Sequence, residues 1–324
     1  MEAPSPSGSD ALAAMYLQTV KYFDVVAAAI LIFDYCLTFS LEVSLMWPSR
    51  WSLPKVLYVL SRYSPFFDIV LVLYYASPAV SLAHCAQLNT GTAGEFLANI
   101  ISVSGFLTCF AVGNVFGIAV AEAIFVLRTY ALSGRQPKIL LIFGTIYSVN
   151  ISIPVRPSSQ DQTLIVGSQT CLVATIVMIG IFLRNMIYSP PPLGIPVCNL
   201  TGGPFILVGL SFILVLLNET ALMSYTLRIM VKTYRYNHSP LVETLFRDGI
   251  TYYVFLCLGS AANIVILVSA PSELRDVLNT PLRVLHSVLS TRTLLHVREA
   301  ERRMEMSWTA VTRGNRASTV HFAD

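Results

Sequence analysis

Five stretches of this chain are each long and apolar enough that water is the wrong solvent for them. They cover residues 22–46, 56–80, 96–127, 205–230 and 250–270. A helix needs about 20 apolar residues to cross the hydrocarbon core of a bilayer, and a backbone in lipid must satisfy its own hydrogen bonds. An all-α integral membrane bundle is the fold this predicts. Over 324 residues, 55% are hydrophobic and 12% charged, far from a soluble average. The formal charge of +3 is too small and too scattered to argue for a nucleic-acid partner; the lipid bilayer is the expected one. A short outer segment, residues 1–19, is expected to lead into an uncleaved first span.

Two further regions are ambiguous. Residues 138–188 hold two apolar stretches separated by "VRPSSQDQ", and residues 281–297 are apolar on one face but carry Arg283, His286 and Arg292. Charge placement resolves both. With the amino terminus outside, the cytoplasmic segments hold Arg50 and Lys55, then Arg128, Arg135 and Lys138, then Arg228, Lys232, Arg235 and Arg247. The last of them is a basic tail with Arg292, Arg298, Arg302, Arg303, Arg313 and Arg316. The outer side keeps Lys21, Arg156, Arg184, Arg275 and Arg283, so the bias is positive-inside.

This assignment needs one crossing from residues 138–188 and another from 281–297. Seven transmembrane helices follow, spanning residues 20–298 with the carboxyl terminus cytoplasmic and a disordered tail at 299–324. Six spans plus an interfacial helix is the alternative. Joining "KILLIFGTIY" to "TCLVATIVMIGIFLRNMIY" makes one uninterrupted span, so residues 148–169 read as an insertion.

Ionisable residues inside the spans are the best pointers to function. Asp34, Thr38 and Glu42 recur every fourth residue and share one face of the first helix. At about 1.5 Å per residue, Glu42, Glu122, Arg62, Glu219, Asp34 and Asp68 all lie within roughly 6–21 Å of the cytoplasmic ends. Arg62 is the natural partner for Asp34 or Glu42. The surplus of carboxylates over that single arginine implies that some are protonated, hydrated or ion-binding. Three roles compete for this polar layer: a fixed register between helices, a switch broken when a ligand shifts them, or a proton or cation path through Glu122 and Glu219.

Other signals are weaker. Cys85 and Cys198 fall on the expected outer side, where a disulfide between them would tie two loops together. Gly113 and Gly117 of "GNVFG" read as a close-packing motif, and Arg128 with Tyr130 of "LRTYAL" as an inner-interface anchor. The five histidines lack ligand spacing, so neither a metal site nor a cofactor is expected. Lysines occur only at 21, 55, 138 and 232, none in the last span, which excludes a retinal Schiff base. No phosphate-binding loop, paired zinc histidines or nucleophile elbow occurs, so no enzyme is expected.

The stretches "DYCLTFSLEVSLMW", "SRY" at 61–63, "LRTYAL", "SPLVETLFRDGITYY" at 239–253 and "VLHSVLSTRTLLHVRE" ending at Glu299, with Cys85 and Cys198, resemble a known family. It comprises seven-helix membrane proteins of mushroom-forming basidiomycete fungi, defined by a domain of unknown function over the first two spans, here about residues 20–80. The resemblance implies the architecture and supplies no function; residues 148–169 depart from the pattern. The expectation is a receptor-like sensor of the plasma membrane rather than of an internal one, with an unknown extracellular ligand or cytoplasmic partner. A proton- or cation-coupled transporter and a structural membrane component are the alternatives.

Overall fold

The structure, a computed structural model, describes residues 8–76, 103–132, 174–185, 187–189, 199–234 and 240–320. Helix α1 is Gly8–Leu45, α2 Leu53–Ala76, α3 Val103–Leu132 and α4 Ala174–Arg184. After a short antiparallel ribbon of β1, Ile187–Ser189, and β2, Asn199–Gly202, come α5, Phe205–Tyr234, and α6, Pro240–Ser269. Last is α7, Asn279–Val320. Apart from this seven-residue ribbon the fold is helical, as the sequence predicts.

Among the described residues, five helices are long and apolar enough to cross a membrane: α1, α2, α3, α5 and α6. They correspond to the five apolar runs. Prolines punctuate them as backbone chemistry requires: Pro48 lies just past α1, Pro54, Pro240 and Pro281 sit in first turns, and Pro271 follows α6. The turn after α1 is closed by Lys55, whose ammonium donates to the Trp47 carbonyl at 3.3 Å and the Ser49 carbonyl at 2.6 Å.

Burial is inverted relative to a water-soluble protein. Val268 is 76% exposed and Ile206 69%, whereas Glu219, Ser260 and Asn263 are fully buried. Such an apolar exterior around a polar interior is stable only with lipid as the surrounding phase.

Side-chain pairings set the helix directions. Along α1 and α7, Asp24 meets Thr280 and Asp34 meets Arg292, so these two helices run parallel. Tyr58 packs with Ile124 and Asp68 lies against Gly113, so α2 and α3 are antiparallel. Helix α5 runs with α3, because Asn218 meets Glu122 and Thr226 meets Thr129, and against α6, because Gly209 meets Leu267 and Glu219 meets Ser260. Phe182, near the end of α4, stacks on Phe205 at the start of α5, with ring centroids 5.5 Å apart. Thus α1, α3, α5 and α7 point one way, α2 and α6 the other, and α4 ends where α5 begins.

Helix α7 is the centre of the bundle. It packs on α1, α2, α3 and α6 and supplies Leu289 to one core cluster and Leu294 and Leu295 to another. Its hydroxyls bond to neighbouring helices or back to its own carbonyls, as Thr291 and Thr293 do to the carbonyls four residues earlier, each at 2.8 Å. Pro65 denies the Ser61 carbonyl its helical donor, and Ser287 of α7 fills the gap at 2.6 Å. Helix α7 is thus enclosed by protein on several sides.

The segment expected as a disordered tail from residue 299 continues α7 to Val320. Its helix-forming "EAERRMEM" and the i,i+4 pair Arg303–Glu299 at 2.6 Å account for this.

Candidate functional site

Among the described residues, three buried ionic clusters occupy the bundle, and α7 takes part in each. The first joins α1 and α2. Arg62 donates from Nη1 to Asp34 at 2.8 Å, from Nε to Glu42 at 3.3 Å, and from Nη2 to Thr38 at 2.5 Å and the Tyr35 carbonyl at 3.2 Å. Tyr63 donates to Glu42 at 2.6 Å, and Arg292 of α7 reaches the second oxygen of Asp34 at 2.5 Å. Two acids face two arginines, and the Arg62 guanidinium lies over the Tyr35 ring at 4.9 Å. The four-residue spacing of Asp34, Thr38 and Glu42 is what lets one guanidinium reach all three.

The second cluster pairs Asp68 of α2 with Arg283 of α7 at 3.2 Å, both nearly inaccessible; Arg283 also donates to Ser64 at 2.6 Å. Gly113 and Gly117 serve this pair. A methyl group at 113 would meet the Asp68 carboxylate, and one at 117 would occupy the space of the Arg283 guanidinium. The glycines read from the sequence as helix-packing residues make room for charged side chains.

The third cluster draws on four helices. Glu219 of α5 lies 2.8 Å from Nε2 of His286 on α7 and accepts from Ser260 of α6 at 3.1 Å. Asn218 donates to Glu122 of α3 at 2.8 Å. Nδ1 of His286 lies 2.8 Å from the Leu282 carbonyl; that oxygen can only accept, so Nδ1 carries a proton. A proton therefore lies between Nε2 and Glu219: a neutral ring accepts it from a protonated Glu219, and a charged ring donates it to the carboxylate. One oxygen of each glutamate, Glu122 Oε1 and Glu219 Oε2, has no hydrogen-bond partner.

The expected surplus of carboxylates narrows to Glu122 and Glu219. Arg283 and Arg292, assigned from the sequence to the outer side and to the tail, lie within the bundle and pair with Asp68 and Asp34. The missed residues are Arg283, His286, Arg292 and Asn218. At about 100° per residue the three bases of α7 fall at roughly 0°, 300° and 180° around its axis. That wide distribution was the available signal of a helix with protein on several sides.

Arg128 is buried, and Tyr130 packs against the cluster of Phe125, Leu222 and Tyr253. Cys85, Cys198 and residues 148–169 lie outside the described residues, while Cys36, Cys109 and Cys257 are free thiols.

No curated protein and no solved structure matches the chain. Residues 22–67, the end of which falls in α2, match the sequence model of a family of unknown function (DUF6533). The matched stretch contains Asp34, Thr38, Glu42 and Arg62. The molecule is thus a multi-pass, membrane-type helical protein whose first two spans carry a domain of unknown function.

Proposed function

We propose that the protein is a non-enzymatic, receptor-like sensor of the plasma membrane, crossing seven times with its amino end outside, in which α7 is the switching element. The topology is supported by the alternating helix directions and by the parallel course of α1 and α7. One observation carries the functional reading: three bases of α7 engage acids on three different helices, Arg283 with Asp68, His286 with Glu219 and Arg292 with Asp34.

Buried ion pairs are poor sources of net stability, yet breaking one costs about 3–5 kcal/mol. Inverting a two-state population from 1:99 to 99:1 takes about 5.5 kcal/mol. A ligand that exchanges one or two of these pairs for its own contacts therefore has enough leverage to move α7. Beyond the bundle α7 continues into a basic stretch with Arg298, Arg302 and Arg303, where the movement would be read on the cytoplasmic side.

Spin labels at Arg50→Cys and Arg303→Cys, on a background without other cysteines, test this in lipid nanodiscs. Asp34→Asn should broaden or shift the distance distribution between them. An unchanged distribution in Asp34→Asn and in Asp68→Asn would sink the switch.

A transporter is the second reading, favoured by the unpartnered oxygens of Glu122 and Glu219. It requires pH-dependent uptake into reconstituted vesicles that Glu219→Gln abolishes.

A further inference from the structure

The third cluster has a feature that neither a lock nor a register device explains. We infer that Glu122, Glu219 and His286 form a binding site for one divalent first-row transition cation of the Zn2+ type. One ligand atom from each residue lies within 4.8 Å of the others, and all three residues are buried. Around a tetrahedral ion with bonds of about 2.1 Å, ligand atoms sit roughly 3.4 Å apart. Small side-chain rotations close the difference.

The surroundings are those of an oriented ligand set. The Leu282 carbonyl holds Nδ1–H of His286 and so aims the Nε2 lone pair at the cluster. Asn218 holds one oxygen of Glu122, and Ser260 one oxygen of Glu219. Backbone and side-chain partners of this kind fix the tautomer and direction of metal ligands. They leave Glu122 Oε1 and Glu219 Oε2 unsatisfied, on residues only 2% and 0% exposed.

Each orphaned buried oxygen carries a desolvation penalty, larger when charged. A proton shared between Glu219 Oε1 and His286 leaves both orphans as they are, whereas a cation held by the three residues gives both carboxylates a positive partner. Among the described residues no lysine or arginine pairs with Glu122 or Glu219. Once the ion displaces the shared proton, two carboxylates with a neutral imidazole bring two negative charges, which a divalent ion cancels where the dielectric is low. The mixed nitrogen and oxygen set suits Zn2+ or its first-row neighbours; Ca2+ asks for six to eight oxygens.

The site stands apart from the receptor reading, since ion binding needs no movement of α7. Full-length protein in nanodiscs, stripped with a chelator and freed of any affinity tag, is titrated with Zn2+ by calorimetry. One Zn2+ per chain is expected, with a raised unfolding temperature. Glu122→Gln, which keeps an acceptor for Asn218 and so should fold, is expected to weaken binding by about 100-fold, and Ser260→Ala by about tenfold. Arg292→Gln, remote from the cluster, should bind as the wild type does. The inference is overturned if folded wild-type protein takes up no Zn2+, or if Glu122→Gln and Glu219→Gln retain its stoichiometry and affinity. Unaltered spin-label distances would bear on the switch alone.

Discussion

Two polar clusters of the same bundle differ in how completely they are satisfied. Around Arg62, both oxygens of Asp34 and both of Glu42 accept hydrogen bonds, and two arginines balance two acids. Around Glu219, two carboxylates share one imidazole, and two oxygens are left over. A saturated cluster holds helices in register and resists disturbance. An unsaturated one has binding capacity in reserve, which is what a proton or metal ion would use. The difference separates a lock from a site within one membrane interior.

Mutations sharpen that contrast, the largest effect falling at Arg62. Arg62→Met strands Asp34 and Glu42 together and should destabilise the protein by about 3–5 kcal/mol, measured by denaturant unfolding in nanodiscs. In chelator-treated protein, Glu122→Gln should cost less than about 1 kcal/mol, because it removes a charge that has no cationic partner. Equal losses at the two places would erase the distinction. Gly117→Ala forces a methyl group into the Arg283 guanidinium and should cost about 1–3 kcal/mol by overpacking, read as a lowered unfolding midpoint; no loss would mean that Arg283 does not lie against α3. Ser287→Ala removes the donor to the carbonyl freed by Pro65 and should cost about 0.6 kcal/mol in the same unfolding measurement. A larger loss would make the junction of α2 and α7 more than a local repair.

Much of this architecture is legible in residue order because lipid imposes a simple rule on composition. The five apolar spans and the acidic face of α1 follow from it, as does the choice of Arg62 as partner. The last helix escapes the rule because it is enclosed by protein: with little lipid to face, it tolerates Arg283, His286, Ser287, Ser290 and Thr291. Read by hydropathy alone, such a helix resembles one lying in the interface. The Glu122, Glu219 and His286 cluster was hidden for a different reason. Its members stand 97 and 67 residues apart and arrive on α3, α5 and α7, so no spacing along one helix announces them. Gly113 and Gly117 read as helix-packing residues because glycine spacing does not say what approaches, and here it is an ion pair.

The central claim is that α7 crosses within the bundle, from outside to inside. Single cysteines placed at Ser272 before α7 and at Glu301 after its buried part, in an otherwise cysteine-free protein, test it most directly. A membrane-impermeant thiol reagent applied to intact cells should label Ser272→Cys at once and Glu301→Cys only after permeabilisation. Labelling of both positions from the same side would contradict the account.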